Sequence, residues 1–208
     1  MTDGVPSIVD WINLPPGAKA ESLWSCLHDA EVVSISSNIG DRTATFICEI
    51  EHLRRFRGLA EGVKFTLQLD EVHSVRVLRF AIWPGEFKVP PGVSRSEEAS
   101  LVADYQSKGR EESYTWSDLE ASVTRENEQV LLIGDASLAL SEEDAVALRL
   151  CCQLNDSRYH ELCVRAGGLR ISTSDGGRFT VEEFQSLGES YWEHWSRDRP
   201  RAAGLIVE

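Results

Sequence analysis

Residues 43–50, TATFICEI, and 63–70, VKFTLQLD, decide the fold. In the first, Ala44, Phe46, Cys48 and Ile50 share one parity and Thr43, Thr45 and Glu49 the other; in the second, Val63, Phe65, Leu67 and Leu69 alternate with Lys64, Thr66, Gln68 and Asp70. Side chains of a strand point to opposite faces at each step, so both segments read as half-buried antiparallel strands. Outward from them, Glu31 to Ile39 is a strand, Gly40-Asp41 is turn chemistry and Arg42 to His52 returns, which makes a hairpin. Arg54 to Gly62 reads as a loop with two glycines carrying the short basic cluster Arg54-Arg55-Phe56-Arg57, and it leads to a strand pair, Val63 to Asp70 and Val72 to Trp83. In the latter strand Val75 and Val77 give way to Leu78, Phe80 and Ile82, a parity change that predicts a bulge. Pro84, Gly85, Pro90, Pro91 and Gly92 end this first unit.

Ser94-Arg95-Ser96-Glu97 has capping-box spacing and opens a crossover helix to about Lys108. Strands are expected over Leu119 to Arg125, Glu128 to Gly134 and Ser137 to Leu140, then over Asp144 to Leu154, with Val146, Leu148, Leu150 and Cys152 on one face. Tyr159 to Ala166 returns after the Asn155-Asp156-Ser157 turn, and Leu169 to Thr173 precedes Asp175-Gly176-Gly177. Thr180-Val181-Glu182-Glu183 is a second capping box, and its helix runs to about Arg197. On that helix Val181, Phe184, Leu187, Gly188, Tyr191, Trp192 and Trp195 fall within an arc of roughly 140°. The face is expected to lie across the sheet as a lid, Gly188 permitting close approach; the alternative is an aromatic interface at Tyr191 and Trp192. The fold class is α+β: mainly antiparallel β in two units joined by a helical crossover and closed by a C-terminal amphipathic helix. The expectation is a single compact domain over 1–208, with a first β unit at 18–83, the crossover at 84–118 and a second β unit with the final helix at 119–208.

A chain of 208 residues can bury a core without covalent staples. Its five cysteines are an odd number without paired spacing, which suits reduced, buried thiols; adjacent Cys151 and Cys152 point to opposite faces of a strand and cannot close one tetrahedral zinc site. Residues 1–14 carry no basic or apolar leader pattern, and no apolar run reaches the ~20 residues of a membrane span, so a cytoplasmic location without membrane contact is expected. Lys+Arg number 21 against 34 Asp+Glu, a formal charge of -13, and 12 of the acids but only 3 bases fall between Glu111 and Glu161. That sign repels nucleic-acid phosphates and would attract a basic protein partner; Glu126, Glu128, Glu142 and Glu143 are its candidate contacts.

The chemistry-bearing residues are few. His28, Asp29 and Glu31 precede the first strand of the hairpin, and His52 and His73 lie on elements that could return beside them. Imidazoles with carboxylates can ligate metals or move protons, yet there is no H-x-H or H-E-x-x-H spacing; neither metal nor cofactor is expected, and turn capping is the simpler role. No G-x-S-x-G, P-loop or G-x-G-x-x-G appears, so no catalytic residue is assigned.

The Leu27-His28-Asp29-Ala30-Glu31 start, the hairpin after it, the Phe65-x-Leu67 strand and Val72-x-x-Val75 resemble small bacterial β-rich proteins, some of them immunity proteins of polymorphic toxin systems. The resemblance covers about the first 80 residues, not the half that holds Tyr191 and Trp192. It implies a protein that binds and blocks a cognate toxin without catalysis. The expected function is therefore non-enzymatic protein binding by a monomer or homodimer. A small-molecule module using a sheet or barrel mouth comes second, and an enzyme built on His28 and Asp29 third.

Overall fold

Alternation carries directly into structure: in strand β3, Thr43–Glu49, the side chains of Ala44, Phe46 and Cys48 are buried, and in β4, Phe65–Asp70, so are Phe65, Leu67 and Leu69. The computed structural model describes residues 19–38, 40–80, 92–94, 97, 100–101, 110–111, 115–123, 131–140, 146–154 and 159–198. The remaining strands are β1 (Lys19–Ser22), β2 (Glu31–Asn38), β5 (Ser74–Phe80), β6 (Arg110–Glu111), β7 (Leu131–Leu140), β8 (Val146–Leu154), β9 (Tyr159–Ala166), β10 (Gly168–Thr173) and β11 (Arg178–Phe179). Among the described residues the helices with full bounds are α1 (Trp24–Leu27), α2 (Glu51–Phe56), α3 (Trp116–Ser122) and α4 (Val181–Asp198).

Every described pairing is antiparallel, and the strands form one sheet in the order β11-β10-β4-β3-β2-β7-β8-β9-β5-β6, with β1 added to β7. Two expectations change. The segments at 63–70 and 72–83 are not partners: β4 lies between β3 and β10, and β5 lies between β9 and β6. Strands from the two sequence halves therefore interleave. The anticipated bulge in β5 is also absent, since β5 runs against β9 from Ser74↔Arg165 to Phe80↔Tyr159 without a register shift. Leu78 is buried on the face opposite Val75 and Val77, so its parity change reflects a strand covered on both sides. Bulges occur instead between Val32 and Ser34 in β2 and between Ile133 and Asp135 in β7, where they return Ile35 and Ala136 to the inner face.

One continuous core covers that inner face. Phe46 lies opposite Leu67 and Leu67 opposite Ile171; across β8, Leu148 lies opposite both Leu138 and Val164. Phe46, Phe65 and Phe184 are fully buried, each worth ~2–3 kcal/mol relative to an exposed ring. Three local readings are corrected. Residues 51–56 are helical, so the basic cluster lies on and just after α2 rather than in a loop; Leu53 buries its underside, and Arg54 and Arg55 both bind Glu51. The strand expected at 119–125 is helix α3, started by a Thr115/Asp118 capping box and anchored by Leu119, with Trp116 edge-on to Phe46. Where described, at 131–140, the two strands expected at 128–134 and 137–140 are the single strand β7. The Ser94/Glu97 cap is formed and Glu97, Ser100 and Leu101 are helical; the rest of the expected crossover helix lies outside the described residues, as do Glu126, Glu128, Glu142 and Glu143.

Helix α4 is opened by the Thr180/Glu183 capping bonds, 2.8 and 3.1 Å. Its N-terminal half is the expected lid, with Phe184 at 0 % and Leu187 at 9 % exposure; toward the C-terminal end the apolar face emerges, and Trp195 is 38 % exposed. No helix among the described residues is long and apolar enough to cross a membrane.

Candidate functional site

Strand β7 positions the site by pairing with β1 along residues 137–140 and with β2 at residues 131–132. The chain between those strands, Leu23 to Ala30, loops off β7 as α1 and is clamped at both ends. Leu23 donates its backbone N–H to Ala136, Asp29 donates to Ile133, and Ile133 donates back to Ala30, at 2.9, 3.0 and 2.9 Å. The β7 bulge lies beside this excursion and turns the Gly134 carbonyl toward His28 Nδ1, 3.3 Å away. A carbonyl only accepts, so Nδ1 carries the proton and donates; Nε2 faces Asp29 Oδ2 at 3.5 Å. Asp29 holds φ 61°, a left-handed conformation that aspartate and asparagine tolerate better than most residues.

Helix α4 packs against α1 so closely that Gly188 is required. A Cβ at that position would stand 2.7 Å from Cys26 Sγ and from the Ser25 carbonyl carbon. Cys26 Sγ donates to the Phe184 carbonyl at 3.0 Å, and the Trp192 indole N–H donates to the Ser25 carbonyl at 2.8 Å, so α1 is tied to α4 at two levels. Burial pushes the Cys26 thiol up to about 11 and Cys48 and Cys163 to about 12; none of these is a thiolate nucleophile at neutral pH.

Rings accumulate where α1, α2 and α4 meet. His28 stacks on Trp24 at 4.6 Å between centroids and Trp24 stacks on Trp192 at 5.1 Å. His52 of α2 reaches Tyr191 at 4.8 Å and Trp192 at 6.0 Å, while Phe56 meets Tyr191 edge-on at 5.9 Å and His194 at 5.8 Å. Trp195 continues the row, edge-on to Trp192 at 5.4 Å. Between them is a cleft of about 610 Å³, lined by Asp29, by Glu51, His52, Arg55 and Phe56 of α2, and by Tyr191, Trp192 and His194 of α4. Burial lowers the His52 pKa below the usual histidine value; the Ser25 backbone and the Asp29 carboxylate oppose this and His28 adds to it. His52 Nε2 is buried and makes no hydrogen bond.

Of the residues singled out in the sequence, His28, Asp29, His52, Tyr191 and Trp192 come together here. His73 does not: its Nδ1 meets Arg42 at 2.8 Å beside the β2–β3 turn, the far end of β2 from His28, about 25 Å away at ~3.3 Å of rise per residue. Glu31 is exposed at the start of β2 and does not line the cleft. Asp135 and Glu161, from the acidic window, are engaged by the buried Arg149 at 3.1 and 2.6 Å. Trp24, Phe56, His194 and Trp195 complete the ring cluster. Their signal is spacing: Trp24 and His28, and His52 and Phe56, stand four apart, which places each pair on one face once the segment is helical. Among the described residues no group of three or more His, Cys, Asp or Glu side chains is arranged to hold a metal ion. Compared with family models, curated proteins and solved structures, the chain matches none.

Proposed function

We propose that this is a non-enzymatic protein-binding protein whose contact surface is the aromatic face built by α1, α2 and α4. The observation that carries the reading is the partial exposure of large rings from three separate helices: Trp24 at 39 %, Phe56 at 38 % and Trp195 at 38 %. Such rings supply contact area at little entropic cost and are enriched at interfaces, whereas isolated exposed apolar residues need no explanation. Here Phe56 and Trp195 join through Tyr191 and Trp192, with Trp24 stacked alongside. The toxin-immunity role implied by the resemblance of the first 80 residues is one form of this activity, with the toxin as the partner.

A second reading, a small-molecule site, is favoured by the cleft volume of about 610 Å³, within the range of ligand pockets. The enzymatic alternative has less support: His28 commits one nitrogen to Gly134, and its neighbour Asp29 is an exposed carboxylate. The test is affinity capture from the producing cells with wild-type protein and the doubly substituted Phe56→Ala/Trp195→Ala variant. The reading expects a discrete protein retained by the first and lost by the second at unchanged thermal stability. Equal retention by both would move the interface elsewhere.

A further inference from the structure

We infer that the cleft between α2 and α4 receives a cationic side chain, arginine or lysine, of a basic protein partner. The inference rests on the protein-binding reading of this face and adds what the partner must present.

Three observations point to a cation. The walls are ring faces and edges: Phe56, Tyr191 and Trp192 border the cleft directly, and Trp24 and Trp195 extend the same cluster. Aromatic faces carry negative quadrupole potential and hold ammonium or guanidinium groups within about 6 Å of a ring centroid. Next, the mouth carries carboxylate. Asp29 is 68 % exposed on the cleft wall, and its ionic neighbour is the His28 ring at 3.5 Å, not a lysine or arginine. The cation already at the mouth, Arg55, is held by Glu51 at 2.5 Å, and Glu51 also holds Arg54, so that trio carries one net positive charge; in the cleft lining itself two carboxylates, Asp29 and Glu51, stand against the one guanidinium of Arg55. Finally, the chain carries a formal -13, so the long-range field also draws a basic partner inward.

Asp29→Asn makes a clean test because asparagine also accepts the left-handed backbone found there, so charge changes while the turn is retained. The probes are Nα-acetyl-arginine methylamide and its neutral near-isostere Nα-acetyl-citrulline methylamide, titrated into the full chain and followed by the indole N–H resonances of Trp24 and Trp192. The inference expects saturable shifts with the arginine probe, affinity weaker by about fivefold or more in Asp29→Asn, and at least about fivefold weaker binding of the citrulline probe. Equal response to the two probes, no saturable response to arginine, or insensitivity to Asp29→Asn overturns it. The underlying reading fails separately: if arginine binds as described while Phe56→Ala/Trp195→Ala retains every captured protein, the cation site stands and the protein interface does not. If a protein is lost by that variant but arginine gives no saturable shift, the interface stands and the cation site falls.

Discussion

Gly188 shows how one residue sets the spacing of the site. Its missing side chain lets α4 rest on the Ser25 backbone, which brings the Trp192 indole to the Ser25 carbonyl and Trp24 onto Trp192. The obstruction is partly backbone, so Gly188→Ala is expected to force the helices apart and cost about 1–3 kcal/mol in urea unfolding, with the Trp192 indole N–H losing its protection from hydrogen exchange. An unchanged midpoint and unchanged protection would show that the contact is loose. His52 supplies a second residue-level outcome. Because burial holds its pKa below the unfolded value of 6.5, the unfolded chain binds the proton first as pH falls. Its contribution to stability is whole above pH 6.5 and is lost as pH drops through that value toward the lowered native one. The difference in stability between wild type and His52→Gln is therefore expected to shrink between pH 7 and pH 5, measured by denaturant titration; a pH-independent difference would mean that burial does not control the ring.

At the scale of elements, α4 has two jobs along one face. Phe184 is fully buried between Phe65 and Phe179, whereas Trp195, eleven residues on, is 38 % exposed. Phe184→Ala is expected to cost about 3–5 kcal/mol and Trp195→Ala less than about 1 kcal/mol in the same unfolding measurement; comparable losses would make the whole face core. The division was half legible from the sequence. Period and capping box give the helix and its apolar arc, but nothing in an arc tells where the sheet beneath it ends, so the whole face read as lid, with an interface at Tyr191 and Trp192 as the alternative. The sequence reads as a brief helical turn around Glu21 to Leu27, and α1 stands there over Trp24–Leu27, although Lys19–Ser22 is strand β1. Helix α2 was harder for a different reason: six residues are too few to display a 3.6-residue period, and so short a helix stands only because Leu53 is buried beneath it. Helix α3 was misread because Leu119, Ala121 and Val123 alternate as a strand would, while the decisive signal was the Thr115/Asp118 spacing just before.

For the whole molecule, the sheet order matters most. The longer strands were largely visible from their own alternation, whereas β1, β6 and β11, of two to four residues, are too short to show one; neighbours beyond the hairpins were not visible, because period-2 patterning fixes which face is buried and says nothing about which edge meets which. The outcome is an exchange: β10, from the second half, completes β4, and β5, from the first half, lies between β9 and β6. A fragment of residues 1–83 would strip β5 of both neighbours and leave β4 with an open edge carrying Leu67 and Leu69, so it is expected to show no dispersed amide spectrum when made alone. A folded fragment would mean that the two halves are independent. The exchange also explains how the site is assembled, since Trp24, His28, His52 and Phe56 come from one end of the chain and Tyr191 to Trp195 from the other, meeting over β7. The central claim, that this aromatic face is where a partner protein sits, is tested most directly by placing a photo-crosslinking amino acid at position 195 and, separately, at the exposed position 165 of β9, and irradiating the producing cells. The account predicts a discrete covalent adduct with one protein from position 195 and none from position 165; no adduct at 195, or the same adducts from both positions, would contradict it.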